Sequence, residues 1–252
     1  MKKASLILIA VGFILLGAGC VSSGKAILEQ KDPIALVSLV SNWDINWKGE
    51  ASTNPNAIGF FSNRALQGDS GLVVTSSADE LINTAETLFW NAVNDSSILN
   101  LADKGTVLSS RAYREAKTTE PARNTFVKPS SNGTFGASSG TLGDGYRFIN
   151  SRDRNFPAAL ANETGIQRSM FVEFDFTKSM VFGFGKNGDC RADVDMTVRI
   201  LDNRGKTLYN KTFSSWSGST TKVSAGAYSQ TELMELFEEA INDVCHEFIG
   251  HL

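Results

Sequence analysis

The sequence predicts an α+β protein, a mixed sheet with a C-terminal antiparallel hairpin packed against two or three helices. Residues 170–177 and 192–200 alternate apolar and polar side chains at the period of a half-buried strand, whereas residues 81–93 and 233–248 repeat apolar side chains at helical spacing. The two alternating runs follow one another instead of being separated by a helix, which argues against a doubly wound parallel sheet. The bulk composition fits one ordinary globular domain: 252 residues, 42% hydrophobic, 20% charged, 22 Gly and only 5 Pro. Lys+Arg 24 against Asp+Glu 27 leaves a net charge of -3, so there is no broad basic field to hold a phosphate backbone, and nucleic acid is not an expected partner.

The chain opens with Lys2 and Lys3, an apolar run over residues 6–16, and the small residues Gly17, Ala18 and Gly19 before Cys20. Roughly eleven apolar residues suit the core of a secretory leader and fall well short of the ~20 a bilayer-spanning helix needs. Leu16-Gly17-Ala18-Gly19-Cys20 resembles the lipobox of bacterial lipoproteins, with Leu16 one place further from the cysteine than the usual pattern. That resemblance implies cleavage after Gly19, acylation of Cys20, and a domain moored to a membrane by its lipid. The alternative is an ordinary secreted chain with Cys20 unmodified. By the same resemblance, to enteric lipoproteins in particular, Val21 and Ser22 with no Asp beside the cysteine imply sorting to the outer membrane, the domain facing the periplasm. Residues 20–31 read as a tether, and residues 32–252 as the single domain.

Within that domain, residues 32–40 (DPIALVSLV) form a compact β-branched run after a proline, which predicts a buried first strand. Trp43 and Trp47 then flank Asp44 and Asn46. Both indoles can share one strand face, either as packing or as a ligand-stacking platform. Residues 49–71 read as loop apart from Phe60 and Phe61. Ser77 and Glu80 have the spacing of a capping box, so a helix is expected from Ser77 to about Asn94, with a weaker helical piece over residues 107–116. Residues 118–145 are rich in Gly, Ser, Thr and Asn and read as a long insertion, mobile or ligand-binding, with Phe126, Phe135 and Leu142 its hydrophobic contacts.

Asn155 and Pro157 mark a helix start and Gly165 its C-terminal cap. The two alternating strands follow. Residues 202–206 (DNRGK) make a turn, and residues 207–216 return as the hairpin partner. Ser229 and Glu232 form a second capping box before a terminal helix over residues 231–249. Asp193, Asp195, Glu173 and Asp175 all fall on the polar sides of their strands, where solvation is the expected role.

The chemistry-bearing motifs are few. Gly183-Phe184-Gly185-Lys186-Asn187-Gly188 has the letters of a dinucleotide fingerprint, but a strand pattern follows it where a helix N-terminus would be required, so it reads as a glycine-rich hairpin connection. Cys190 and Cys245 are left as a pair if Cys20 is acylated. In an oxidising compartment a disulfide between them is the first expectation, with free buried thiols, or a metal site shared with His246 and His251, as alternatives. Adjacent Cys245 and His246 diverge by about 100° on a helix, which disfavours the metal. Both histidines lie in the last seven positions, and no Gly-x-Ser-x-Gly elbow occurs, which disfavours a serine hydrolase. No pattern calls for a cofactor, and no catalytic constellation is expected.

Taken in order, the helix over residues 157–164, the strand pair DMTVRILDNRGKTLYNKTF and the terminal helix make residues 156–249 resemble the small α/β domain of envelope lipoproteins such as the YajG-like and LpoB-like families. The resemblance covers less than half of the chain and implies a non-enzymatic binding or accessory role with an envelope protein as partner. The alternative expectations are a cell-wall glycan-binding or glycan-processing domain using Trp43 and Trp47, and a surface-exposed, adhesin-like lipoprotein.

Overall fold

A computed structural model describes residues 32–42, 45–48, 72–73, 78–118, 126–129, 135–138, 140–184 and 187–252. Its frame is a nine-stranded mixed sheet, as the alternating patterns require. The first strand, β1 (Ile34–Asn42), is buried along almost its whole length. Next come β2 (Asn46–Trp47), β3 (Leu72–Val73) and helix α1 (Asp79–Ser96), then two short helices, α2 (Lys104–Ser109) and α3 (Arg111–Glu115). Strands β4 (Phe126–Pro129) and β5 (Phe135–Ser138) pair with each other, and β6 (Gly140–Leu142) joins the main sheet. After α4 (Asn155–Thr164) come the long strands β7 (Arg168–Phe184) and β8 (Asn187–Asp202), then β9 (Thr207–Trp216), β10 (Thr221–Ser224), β11 (Ala227–Ser229) and the terminal helix α5 (Gln230–His251).

The centre of the sheet is the β7–β8 hairpin. Strand β1 runs parallel to the first half of β7 and β2 parallel to its middle. Strand β9 pairs antiparallel with the second half of β8, β10 with its start, and β6 with the far side of β1. A bulge between Leu36 and Ser38 breaks the two-residue phase of β1, so Leu39 returns to the core shared by Ile34 and Leu36.

Two helical layers cover opposite faces. Helices α1 and α5 pack on one face over Phe174, Phe176, Val194, Met196 and Val198, with Phe89 of α1 stacked on Phe248 of α5 at 6.0 Å. On the other face α2, α3 and α4 bury Val107, Tyr113, Phe156 and Leu160 against Ala35, Val37, Phe171 and Leu201. Burying a side chain of this size is worth roughly 1.5–3 kcal/mol, so the large first cluster dominates cohesion. Among the described residues no helix is long and apolar enough to cross a membrane.

Local chemistry explains where several elements begin. Helix α1 starts at Asp79, two residues later than the Ser77–Glu80 spacing predicts. Ala78 stands at its N-cap with no side-chain bond, and Ser77 lies outside the described residues. The single weak helix expected over 107–116 is two: Ser110 is extended there and caps the second through Oγ, which accepts from Tyr113 N at 3.2 Å. Asp103 caps the first by accepting from Thr106 N at 2.7 Å. Glu163 of α4 accepts from both Arg111 N and Ala112 N at 2.7 Å, and those bonds hold its carboxyl below the usual range. Ser229 caps α5 as predicted, but Glu232 does not close the box, because its carboxylate accepts from Thr221 Oγ1 instead.

The insertion expected to lack regular structure contains β4, β5 and β6. Leu142 packs against the core, and Thr141 Oγ1 donates to Asp79 Oδ1 at 2.8 Å, tying the strand to the start of α1. The Phe126 and Phe135 side chains lie outside what is described. Lys104 pairs with buried Glu86 and stands 4.8 Å above the Tyr146 ring, joining α2, α1 and the chain after β6.

Candidate functional site

Of the residues singled out from the sequence, Cys20 and Trp43 lie outside the described residues. Trp47 is not an open platform. Its ring meets Tyr228 edge-on at 6.4 Å, and the Lys178 ammonium stands 5.1 Å from each of the two rings. Lys178 falls on the apolar side of β7 and is almost fully buried, its Nζ donating to Ile45 O. Two aromatic faces and a carbonyl therefore solvate a cation inside the core.

The disulfide expected between Cys190 and Cys245 is not formed; both are free, buried thiols. Burial pushes Cys190 up to about 11, partly opposed by Lys178, and Cys245 up to about 12. An apolar surround disfavours the thiolate, so neither is a nucleophile near neutral pH. His246 is exposed, and His251 Nδ1 bonds Tyr209 Oη at 3.1 Å. Among the described residues no group of three or more His, Cys, Asp or Glu is placed to hold a metal.

A different constellation stands on the sheet face opposite α1 and α5. Asp193, read from its alternation as a solvated surface acid, is on that face but only 1% exposed. Its carboxylate accepts from Ser179 Oγ at 2.5 Å, Lys48 Nζ at 3.3 Å and Arg191 Nη2 at 3.4 Å. Arg191 Nε also donates to Ser179 Oγ at 3.2 Å. So fixed, the guanidinium lies 4.8 Å over the ring of Trp216, the register partner of Asp193 at the end of β9. The indole is 54% exposed. Two cations thus face the one buried carboxylate beside an aromatic surface. Glu173 and Asp175 are exposed on the same face, as their alternation predicts. The exposure of Trp216 and the buried network behind it were not legible from spacing alone.

The second unusual surface is the tip of the β7–β8 hairpin. Gly183 and Gly188 face each other in register with φ of 145° and 155°. A Cβ on Gly183 would lie 2.2 Å from Asn187 O, and one on Gly188 2.0 Å from Phe182 O, so both positions need glycine. The outer letters of the fingerprint-like run thus pair as the ends of a hairpin, as their context predicts, while Gly185 and Lys186 lie outside the described residues. A bulge at Val181, between Met180 and Phe182, precedes the tip. Asn187 Oδ1 accepts from Ala225 N at 2.8 Å, fastening this tip to the β10–β11 turn. The tip presents Val181, Phe182 and Phe184 at 53%, 77% and 93% exposure.

No protein-family model and no curated protein matches the chain.

Proposed function

We propose that the chain is a membrane-anchored, non-catalytic envelope lipoprotein that binds another envelope protein through the sheet face around Trp216. The observation that carries the binding role is the Arg191–Trp216 stack: an exposed indole and a guanidinium fixed by a buried carboxylate on a two-sided scaffold. Trp and Arg are enriched among residues that dominate binding energy, and a preordered pair loses little side-chain entropy on docking. The anchoring role draws on the lipobox-like residues 16–20 and the short polar tether after them, with the domain on the periplasmic side of the outer membrane.

The test is crosslinking in intact envelopes followed by affinity recovery of the chain. Trp216→Ala and Arg191→Gln are expected to lower recovery of one reproducible partner at least tenfold, with Trp216→Ala shifting Tm by no more than ~2 °C. Undiminished recovery with Trp216→Ala rejects the surface, and a bare Cys20 by mass rejects the anchor. The same exposed indole favours a second reading, glycan stacking. Trp216-dependent sedimentation with protein-free cell-wall glycan would select that reading over the first.

A further inference from the structure

We propose that the β7–β8 tip inserts into the membrane that holds Cys20, so that the domain lies along the bilayer with a lipid mooring at one end and Phe182 and Phe184 at the other. This rests on the reading of Cys20 as acylated.

Three observations point to lipid as the occupant. The exposed parts of Val181, Phe182 and Phe184 amount to roughly 400 Å², taking about 200 Å² for a phenylalanine. That is half of the ~800 Å² per partner that a stable protein interface buries, whereas a bilayer accepts a convex apolar tip without demanding a matching surface. The backbone that carries the rings is also fixed, since Phe182 and Phe184 are in register with Asp189 and Asn187 of β8 and Asn187 Oδ1 accepts from Ala225 N; Gly185 and Lys186 between the two strands lie outside the described residues. Little conformational freedom remains to be lost on insertion.

The third observation is where the tethered end of the chain enters the sheet. Ile34 is in register with Arg168 at the start of β7, and Phe184 closes that strand. At ~3.3 Å per residue the two ends are about 50 Å apart. The 13 residues between Cys20 and Ile34 cannot reach further than about 45 Å, less than the length of β7. A rigid strand on so short a leash can come down on the membrane at a second point. Once the first end is moored, the tip's high effective concentration at the surface lets a contact too weak to hold by itself persist.

The experiment places the photocrosslinker p-benzoylphenylalanine at position 184 of the full chain, expressed in cells and irradiated in intact envelopes. Mass analysis reads both the adduct and the acyl state of residue 20. The expected result is an adduct of phospholipid mass, reduced at least fivefold by Phe182→Ser. An adduct with a protein, or none, overturns the inference. If Cys20 is acylated and no lipid adduct forms, this inference falls and the anchoring reading stands; an unacylated Cys20 overturns both.

Discussion

Asp193 is a carboxylate enclosed on a sheet face that otherwise exposes acids, and Ser179, Lys48 and Arg191 supply its hydrogen bonds and ion pairs there. Removing one member of a fully buried ion pair costs about 3–5 kcal/mol, but Lys48 and Arg191 are half in solvent and can rehydrate. Asp193→Ala is therefore expected to cost about 2 kcal/mol by urea denaturation and to free Arg191 from Trp216. The two thiols yield a prediction with a sign. Their folded values, near 11 and 12, lie above the ~8.5 of an unfolded cysteine, so above about pH 8 the folded chain binds more protons than the unfolded one. Their contribution is complete below the unfolded value and is lost as pH rises through about 9 to 12. Urea midpoints should fall between pH 8 and pH 10, and the fall should be smaller in Cys190→Ala/Cys245→Ala. Neither thiol should react with a disulfide reagent at pH 8 until urea opens the fold.

At the scale of elements, the β7–β8 hairpin is sensitive to backbone detail. Gly183→Ala drives a Cβ into the opposite strand at a left-handed position, so a loss of at least about 1–3 kcal/mol is expected, with hydrogen exchange accelerated at the tip more than in β9. Ser229→Ala removes the bond from Glu232 N and should cost α5 about 1 kcal/mol, read by thermal denaturation. The elements most legible from the pattern were those long enough to show a period. Strands β7 to β9 and helix α5 are such cases, their buried positions set by the alternation of Val172, Phe174 and Phe176 and the stripe from Leu233 to Phe248. Strands β10 and β11, at four and three residues, are too short to show one; β10 exists because β8 offers an edge, and β11 because β10 then offers the next. The split at Ser110 is hidden because Ser is compatible with either a helix interior or a cap. Lys178 and Asp193 defeat the alternation rule for a common reason. Period two assigns a face, but much of what encloses a charge on that face comes from far along the chain: Ile45, Trp47 and Tyr228 around Lys178, and Lys48 beside the nearer Ser179 and Arg191 around Asp193.

On the scale of the whole molecule, cohesion depends on α5, which supplies Leu233, Phe237, Ile241, Val244 and Phe248 to the core shared by α1 and the sheet. Phe237 meets Phe176 edge-on at 5.7 Å, and Phe237→Ala is expected to cost about 3–5 kcal/mol by urea denaturation. A chain ending at Ser229 should lack a cooperative thermal transition and be cut rapidly by protease.

The parallel contact of β1 with β7 also sets an order of events during synthesis. Ile34 cannot meet Arg168 until the whole intervening stretch has been made. At 5–20 residues per second the first strand waits many seconds with its apolar side chains bare. An early strand whose partner is made so late makes this joint a non-local and therefore slow step of folding, during which its unpaired edge is open to wrong contacts.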